Sequence, residues 1–481
     1  MSTFGGIETA LSGLQAQQLL AETATTNVTN ANTPGYSRQQ VDLAANPSLP
    51  PPSLNSTGPG QVGTGVQVVA INRVADSLVT SSLRSAVSQQ SAATVQQDTT
   101  TQIQSVFNEL SGNGISSQLS QFWNSWQNVA NAPADLGART ALLGNAQQLA
   151  TTLQSDSTQL QNVQTGLDQQ VVQQVGQINS LSSQVAALNG KIVTIQATGQ
   201  QPNNLLDQRD QILSKMASIA QIGVASQPDG SVRVTMNGVP LVNETNASAL
   251  STSTGTNGMH QIVAANGTTL TPAVGSLGGL LAMRDGQIPD AQSALNSWTQ
   301  RLIGAVNAVH SGQDPNTNTT TNVYDLVTHG TPVQRPFFVG TDASNITVNS
   351  ALVQNPSLIA ASQTANGTGD GSNALAIANL QNDPTAGGAP SGSPTIDSQY
   401  TAFATSIGTA AANAQSNASN QNLVVSNLQQ VQSQLSGVSL DQEAASLVTF
   451  QSAYQAAARS LTVFDNMLNT LINNTGLVGG G

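Results

Sequence analysis

The chain has no cysteine in 481 residues, which excludes disulfides and thiolate metal sites and suits a polypeptide that must cross a secretion channel unfolded. Charge is scarce too. Only 7% of residues are Asp, Glu, Lys or Arg, well below the usual quarter, and Ser, Thr, Asn, Gln and Ala dominate instead. The longest apolar runs fall far short of the roughly 18–20 residues that a membrane span needs. No basic patch with interleaved aromatics is present, and a net charge of −12 with a pI near 4.4 argues against nucleic acid and anionic membrane as partners. His260, His310 and His329 are the only histidines; none sits in an HExxH or other close ligand pairing, so neither a structural zinc nor a cofactor is expected. The first residues, STFGGIETALSG after Met1, carry one acid and no base, unlike the basic start and apolar core of a secretory signal. The protein is expected either to stay in the cytoplasm or to leave by a route that keeps its N-terminus intact.

Both ends carry heptad stripes. At the N-terminus, steps of three and four pick out Phe4, Ile7, Leu11, Leu14, Gln18, Ala21, Thr25 and Val28. At the C-terminus they pick out Leu440, Leu447, Phe450, Tyr454, Ala457, Leu461, Phe464, Leu468 and Leu471, with Glu443 off pattern. A sustained 3.5-residue spacing keeps one seam of a helix facing a partner, so the two ends are expected to meet and to self-associate. Burying this seam alone returns less than the chain entropy it costs, which predicts disordered ends in a lone monomer. From Leu440 onward the charges are Asp441, Glu443, Arg459 and Asp465, too few for the flanking salt bridges of an exposed two-stranded coil. Small residues such as Ala444, Ala445, Ala456, Ala457 and Ala458 let such a helix be packed on several sides.

The length allows about three domains, and 38% hydrophobic residues suffice for real cores. The pattern predicts a mainly α fold with β insertions: a terminal-helix coiled coil, a long-helix bundle and a small β-rich outer part. Residues 1–38 and 437–481 form the terminal unit. Residues 39–221, 276–321 and 395–436 form the bundle, with an extended arm over 39–75 that holds the Pro/Gly/Ser-rich stretch Asn46–Gly65. Bundle helices are expected over Asp76–Leu110, around Gln118–Val129 with Trp123 and Trp126 in the core, over about Asp135–Thr198, and at Leu280–His310 and Phe403–Leu435. Residues 222–275 and 322–394 read as β-rich insertions projecting from the bundle, with Asp229-Gly230 and Asn237-Gly238 as hairpin turns. Gly275–Gly286 (GSLGGLLAMRDG) lacks the Lys-Ser/Thr of a phosphate loop and reads as a hinge between insertion and bundle.

Asn27, Asn30 and Asn32 with Pro34 and Gly35 read as a helix cap and turn, since Asn tolerates the left-handed conformation and Pro cannot continue a helix. Tyr36 could contact a neighbouring subunit as well. Asp207, Arg209 and Asp210 read as a local ion-pair face on one helix. No Ser-His-Asp or paired-carboxylate arrangement can be picked out.

Residues 11–40, LSGLQAQQLLAETATTNVTNANTPGYSRQQ, resemble the N-terminal signature of bacterial flagellar rod, hook and hook-associated proteins. PNNLLDQRDQIL (202–213), LIGAVNAVHSGQD (302–314), RPFFVGTDASNITVNSALVQNPSLIAAS (335–362) and SGVSLDQEAASLVTFQSAYQAAARSLTVFDNMLNTLIN (436–473) narrow the resemblance to the flagellar hook-associated protein 1 family. The match runs in order through nearly the whole chain. It departs where the family's Asn-Ile-Ala-Asn becomes Asn27-Val28-Thr29-Asn30, and where Gly-aromatic-Asp after His310 becomes Gly312-Gln313-Asp314. The chain is also short for the family, which predicts a reduced outer domain.

The resemblance implies a non-enzymatic structural subunit of the junction between hook and filament, with the paired terminal helices forming an inner tube. Its implied partners are further copies of itself in a helical layer, the hook protein, the second junction protein (hook-associated protein 3) and an export chaperone on the C-terminal helix. Export by the flagellar type III route is implied too. Ile7, Leu11, Leu14, Val28, Leu447, Phe450, Tyr454, Leu461, Phe464, Leu468 and Leu471 are the expected self-assembly residues. The alternatives are another axial flagellar protein or a cell-wall glycan hydrolase with Asp207 or Glu109 as its acid, although such hydrolysis needs a pair of carboxyls in a cleft.

Overall fold

The computed structural model describes residues 3–48, 62–109, 112, 114–313, 320–328 and 330–474. Its N-terminal helix α1 (Thr3–Asn30) leads into an antiparallel ribbon of β1 (Gln39–Ala45) and β2 (Val66–Arg73), with a bulge between Asp42 and Leu43. The expected extended arm is therefore a β-ribbon at its base; the middle of the Pro-rich stretch, 49–61, lies outside the described residues.

Helix α2 (Ser77–Phe107) starts on Asp76, whose carboxylate accepts from the Leu78 and Val79 amides. This satisfies amide donors that have no partner inside the helix. Helix α3 (Ile115–Asn131) follows, then α4 (Leu136–Gln196), 61 residues long and capped by Asp135. The apolar repeat of α4, Leu142, Leu149, Leu153, Leu160, Val171, Ile178, Val185 and Ile192, is buried along its whole length. Helices α5 (Asn203–Ile219), α6 (Gly275–Ala282), α7 (Ile288–His310) and α10 (Ile396–Ser436) complete the bundle. The C-terminal α11 (Leu440–Asn474) returns to α1.

Residues 222–270 form two antiparallel sheets. One has β3 (Ile222–Ser226), β4 (Val232–Met236), β5 (Val239–Asn243) and β6 (Asn246–Ala247) in order; the other has β7 (Ser251–Thr254), β8 (His260–Val263) and β9 (Thr269–Leu270). Gly230 and Gly238 take positive φ in the expected hairpin turns. The insertion does not simply project from the bundle, because Val232, Val234, Met236, Leu241 and Val242 belong to the same apolar core as the helices. Two helix asparagines pin it. Asn179 exchanges two hydrogen bonds with the Leu250 backbone, and Asn189 donates to the Val232 and Glu244 carbonyls while accepting from the Val232 amide.

The segment 322–394 was expected to be β-rich. Among its described residues the strands are two residues each, β10 (Phe338–Val339) and β11 (Thr347–Val348), beside short helices α8 (Ser350–Gln354) and α9 (Ser372–Asn379). Its Phe337 and Phe338 stack with Phe122 and Trp126 of α3 inside the bundle, so aromatic packing rather than strand pairing holds it. The expected hinge at Gly275–Gly286 is also helical, with a π turn at Met283–Gln287 joining α6 to α7. Its glycines serve close packing: a Cβ on Gly279 would lie 2.8 Å from the Ala92 carbonyl of α2.

Candidate assembly interface

Helices α1 and α11 stand apart from the main apolar core, to which none of their described residues belongs. They pack antiparallel on each other. Phe464 lies over Gly6, and Phe450 and Tyr454 share a groove with Gln17, Ala21 and Thr25. The face of α1 that is buried carries small residues, Ala10, Ala16, Thr23 and Ala24, together with Asn27. Leu447, Phe450, Leu461, Phe464 and Leu468 of the C-terminal stripe are half-buried, and Tyr454 and Leu471 are exposed.

The N-terminal stripe differs from its expected role within the chain. Ile7 and Leu14 are half-buried, but Phe4, Leu11 and Val28 point outward. The two ends do meet, yet through one large-residue seam and one small-residue face, because small side chains let two helix backbones approach closely. Over their described residues both ends are helical, 3–30 and 440–474. Polar contacts, which apolar spacing does not reveal, join them at one end of the pair.

That polar joint is built on NANTPGYSRQ. The side chain of Asn27, 1% exposed, donates to the Gln39 carbonyl at 2.9 Å and accepts from the Gln39 amide at 2.9 Å and from the Tyr36 hydroxyl at 2.8 Å. Burial, with the charges of Asp207 and Glu443, pushes the Tyr36 hydroxyl up to about 12, so it stays a donor. Asn30 donates to the Thr26 carbonyl and accepts from the Thr33 hydroxyl, while Asn32 is exposed. None of the three asparagines takes the left-handed conformation; Gly35 does, at φ +76° with Gln211 packed against it. The cap reading is corrected accordingly: Asn27 and Asn30 act through their amides, and only Gly35 supplies positive φ. The Pro34 carbonyl accepts from Gln211 at 2.7 Å.

Ser37 and Arg38 carry the joint outward. Ser37 donates from its amide and hydroxyl to the two carboxylate oxygens of Asp207 on α5. Arg73 of β2 pairs with Asp207 at 3.0 Å and Asp210 at 2.6 Å, and Arg84 of α2 pairs with Asp210 at 2.9 Å. Burial pulls the Arg73 guanidinium down, and Asp210 and Asp207 more than offset it, so its net shift is upward. The expected local ion-pair face on α5 is thus a long-range tie, since its acids reach β2, α2 and the turn. Arg209 points elsewhere, to Asn189 and the Gly230 carbonyl. The Arg38 amide donates to the Ser436 carbonyl at the end of α10, and its carbonyl accepts from Val74. Its guanidinium meets Glu443 at 2.6 Å. Glu443, the residue that broke the stripe, is 2% exposed; reading the apolar spacing alone missed it, although an acid at a seam position was the visible signal.

The acids of the hydrolase alternative are engaged. Asp207 is held as described, and Glu109 accepts from the Tyr400 hydroxyl at 2.6 Å. His310 lies in the core and His260 pairs with Asp168, while His329 falls outside the described residues. Among the described residues no group of three or more His, Cys, Asp or Glu could hold a metal, and no helix is long and apolar enough to cross a membrane.

Residues 100–324 match the model described as flagellar hook-associated protein FlgK helical domain. Residues 7–36 match the flagella basal body rod protein model, and 431–474 match the C-terminal model of the flagellar basal body rod FlgEFG proteins. Flagellar hook-associated protein 1 of Bacillus subtilis is 30% identical over 99% of this chain and 99% of its own length. The chain belongs to the flagellar hook-associated protein 1 family. The Escherichia coli protein of that name is 28% identical over 97% of this chain and 99% of its own. The solved structure of the flagellar hook junction protein FlgK from Burkholderia pseudomallei shares the fold, with a TM-score of 0.61 at 20% identity, covering 74% of this chain and all of that one. The two rod-protein matches fall on α1 and α11, and the family-specific match falls on the bundle.

Proposed function

We propose that the chain is a structural, non-enzymatic subunit of the bacterial flagellum that forms the junction layer between hook and filament through its paired terminal helices. One observation carries the reading at the level of residues. The α1–α11 pair leaves apolar side chains facing outward on both helices: Leu11 and Val28 on one, Val448, Val463, Met467 and Ile472 on the other. Runs of outward apolar residues with so few charges suit burial by neighbouring copies. On this reading residues 1–38 and 437–481 line an inner tube, the bundle and insertions lie outside it, and Ile7, Leu11, Leu14, Val28, Leu447, Phe450, Tyr454, Leu461, Phe464, Leu468 and Leu471 divide between the intrachain seam and the intersubunit contacts. The hook protein lies on one side of the layer and hook-associated protein 3 on the other. Export by the flagellar type III route, with a chaperone covering α11 beforehand, accounts for how such a surface stays soluble.

The test is removal of the protein from a flagellated cell. Hooks should be left bare and flagellin should accumulate in the medium. Normal filaments on such cells would overturn the reading.

A further inference from the structure

The apolar contact between the terminal helices is degenerate. In α11 one heptad row reads Leu440, Leu447, Tyr454, Leu461, Leu468, and the other reads Glu443, Phe450, Ala457, Phe464, Leu471. In the first row a slide of seven residues lays one large apolar side chain where another was; in the second, Ala457 separates Phe450 from Phe464. Over Gly6, where Phe464 sits, such a slide would bring Ala457 or Leu471, and either fits against a glycine. The first row by itself does not select one register, and the second does so only through the size of the side chain over Gly6.

Among the described residues of α11 the one buried is Glu443, and it is the one charged position in these rows. Its partner is fixed in place. Arg38 is held by its amide to Ser436 and by its carbonyl to Val74, beyond the end of β2, so its guanidinium is presented at a set point of the frame. A slide of one heptad would leave Glu443 buried without Arg38, or Arg38 facing a leucine or phenylalanine row. Leaving a buried carboxylate without its partner is costly, here with Glu443 buried and the Arg38 side chain 30% exposed, and a lone polar residue in an apolar seam is the best-attested device for setting helix register.

We propose that the Arg38–Glu443 pair is the register lock of the terminal helices: it sets the axial position of α11 on α1, and with it the side chains that neighbouring subunits meet. The pair itself is internal to the chain, while the consequence for neighbours rests on the assembly reading above.

The absence of native cysteine makes a direct test possible on the full-length soluble protein. Spin labels on Gln18→Cys and Gln455→Cys flank the same interhelical groove, and a slide of one heptad moves one label along the other helix by about 10 Å. The otherwise unchanged protein should give one distance. Glu443→Leu should add a second population displaced by a heptad, and the reversed pair Arg38→Glu with Glu443→Arg should return a single distance. A lone original distance in Glu443→Leu would overturn the proposal. So would failure of the reversed pair to recover it, whatever state Glu443→Leu adopts, because Glu443 would then act on the start of α11 rather than through Arg38. These distances are read before any assembly, so bare-hook experiments that failed would count against the junction reading alone.

Discussion

His310 and Asp156 are the two buried groups whose titration opposes one another. The His310 ring donates from Nδ1 to the Arg335 carbonyl at 2.7 Å, and its Nε2 accepts from the Ala360 amide at 3.0 Å, which fixes one neutral tautomer. Burial holds its pKa down to about 4. Between the unfolded value near 6.5 and 4 the unfolded chain binds the extra proton, so this histidine's contribution is present above pH 6.5 and is lost as the pH falls toward 4. The loss is roughly 3 kcal/mol over that interval. Asp156 has the reverse sign: burial, then the Glu109 charge, raises it to about 7, so its folded form keeps a proton that the unfolded chain has released. Its contribution fades as the pH rises toward 7. Urea unfolding at a series of pH values should show His310→Gln closing its stability gap to the original protein by about 3 kcal/mol between pH 8 and pH 4. Asp156→Asn should gain on the original protein between pH 4 and pH 8. Parallel curves for either variant would mean that the group is not held as described.

At the scale of elements, α6 lies on α2 at a distance only glycine permits. Gly279→Val would drive side-chain atoms into the Ala92 backbone and the Val95 side chain, and overpacking of this kind costs about 1–3 kcal/mol, readable as a lower midpoint in urea at unchanged slope. The terminal pair is the opposite case, with a half-buried apolar seam and no share in the main core. Hydrogen exchange on the soluble chain should be fastest before about residue 40 and after about residue 437, where opening is nearly free; protection there equal to that of α4 would mean a self-sufficient pair. Leu461→Asp should leave the circular dichroism of the bundle intact and stop filament growth, and normal swimming would refute the role given to α11. These elements also mark how much the sequence disclosed. Periodicity located α2, α3, α4 and α11 within a few residues, and α10 except for its first two turns, because each repeats one physical requirement, an apolar stripe, many times over. It could not reveal that Phe337 and Phe338 lie in the bundle, that GSLGGLLAMRDG is helical, or that Asp207 and Asp210 reach three other elements. Those facts depend on contacts between residues far apart in the chain, which no local spacing records.

For the molecule as a whole, one consequence follows from Arg38 meeting Glu443. The two residues are 405 positions apart, so the joint is among the last contacts the polypeptide can make in order of synthesis. While the intervening residues are being added, α1 and its turn can reach the β1–β2 ribbon, and Ser37 can reach Asp207 of α5, but the face of α1 that meets α11 stays open. The clasp closes when α11 appears, and a chain cut short between α10 and α11 has every bundle helix but leaves that face of α1 open. The joint thereby distinguishes a finished molecule from an unfinished one, a built-in proof of completeness for a structural subunit of the hook–filament junction.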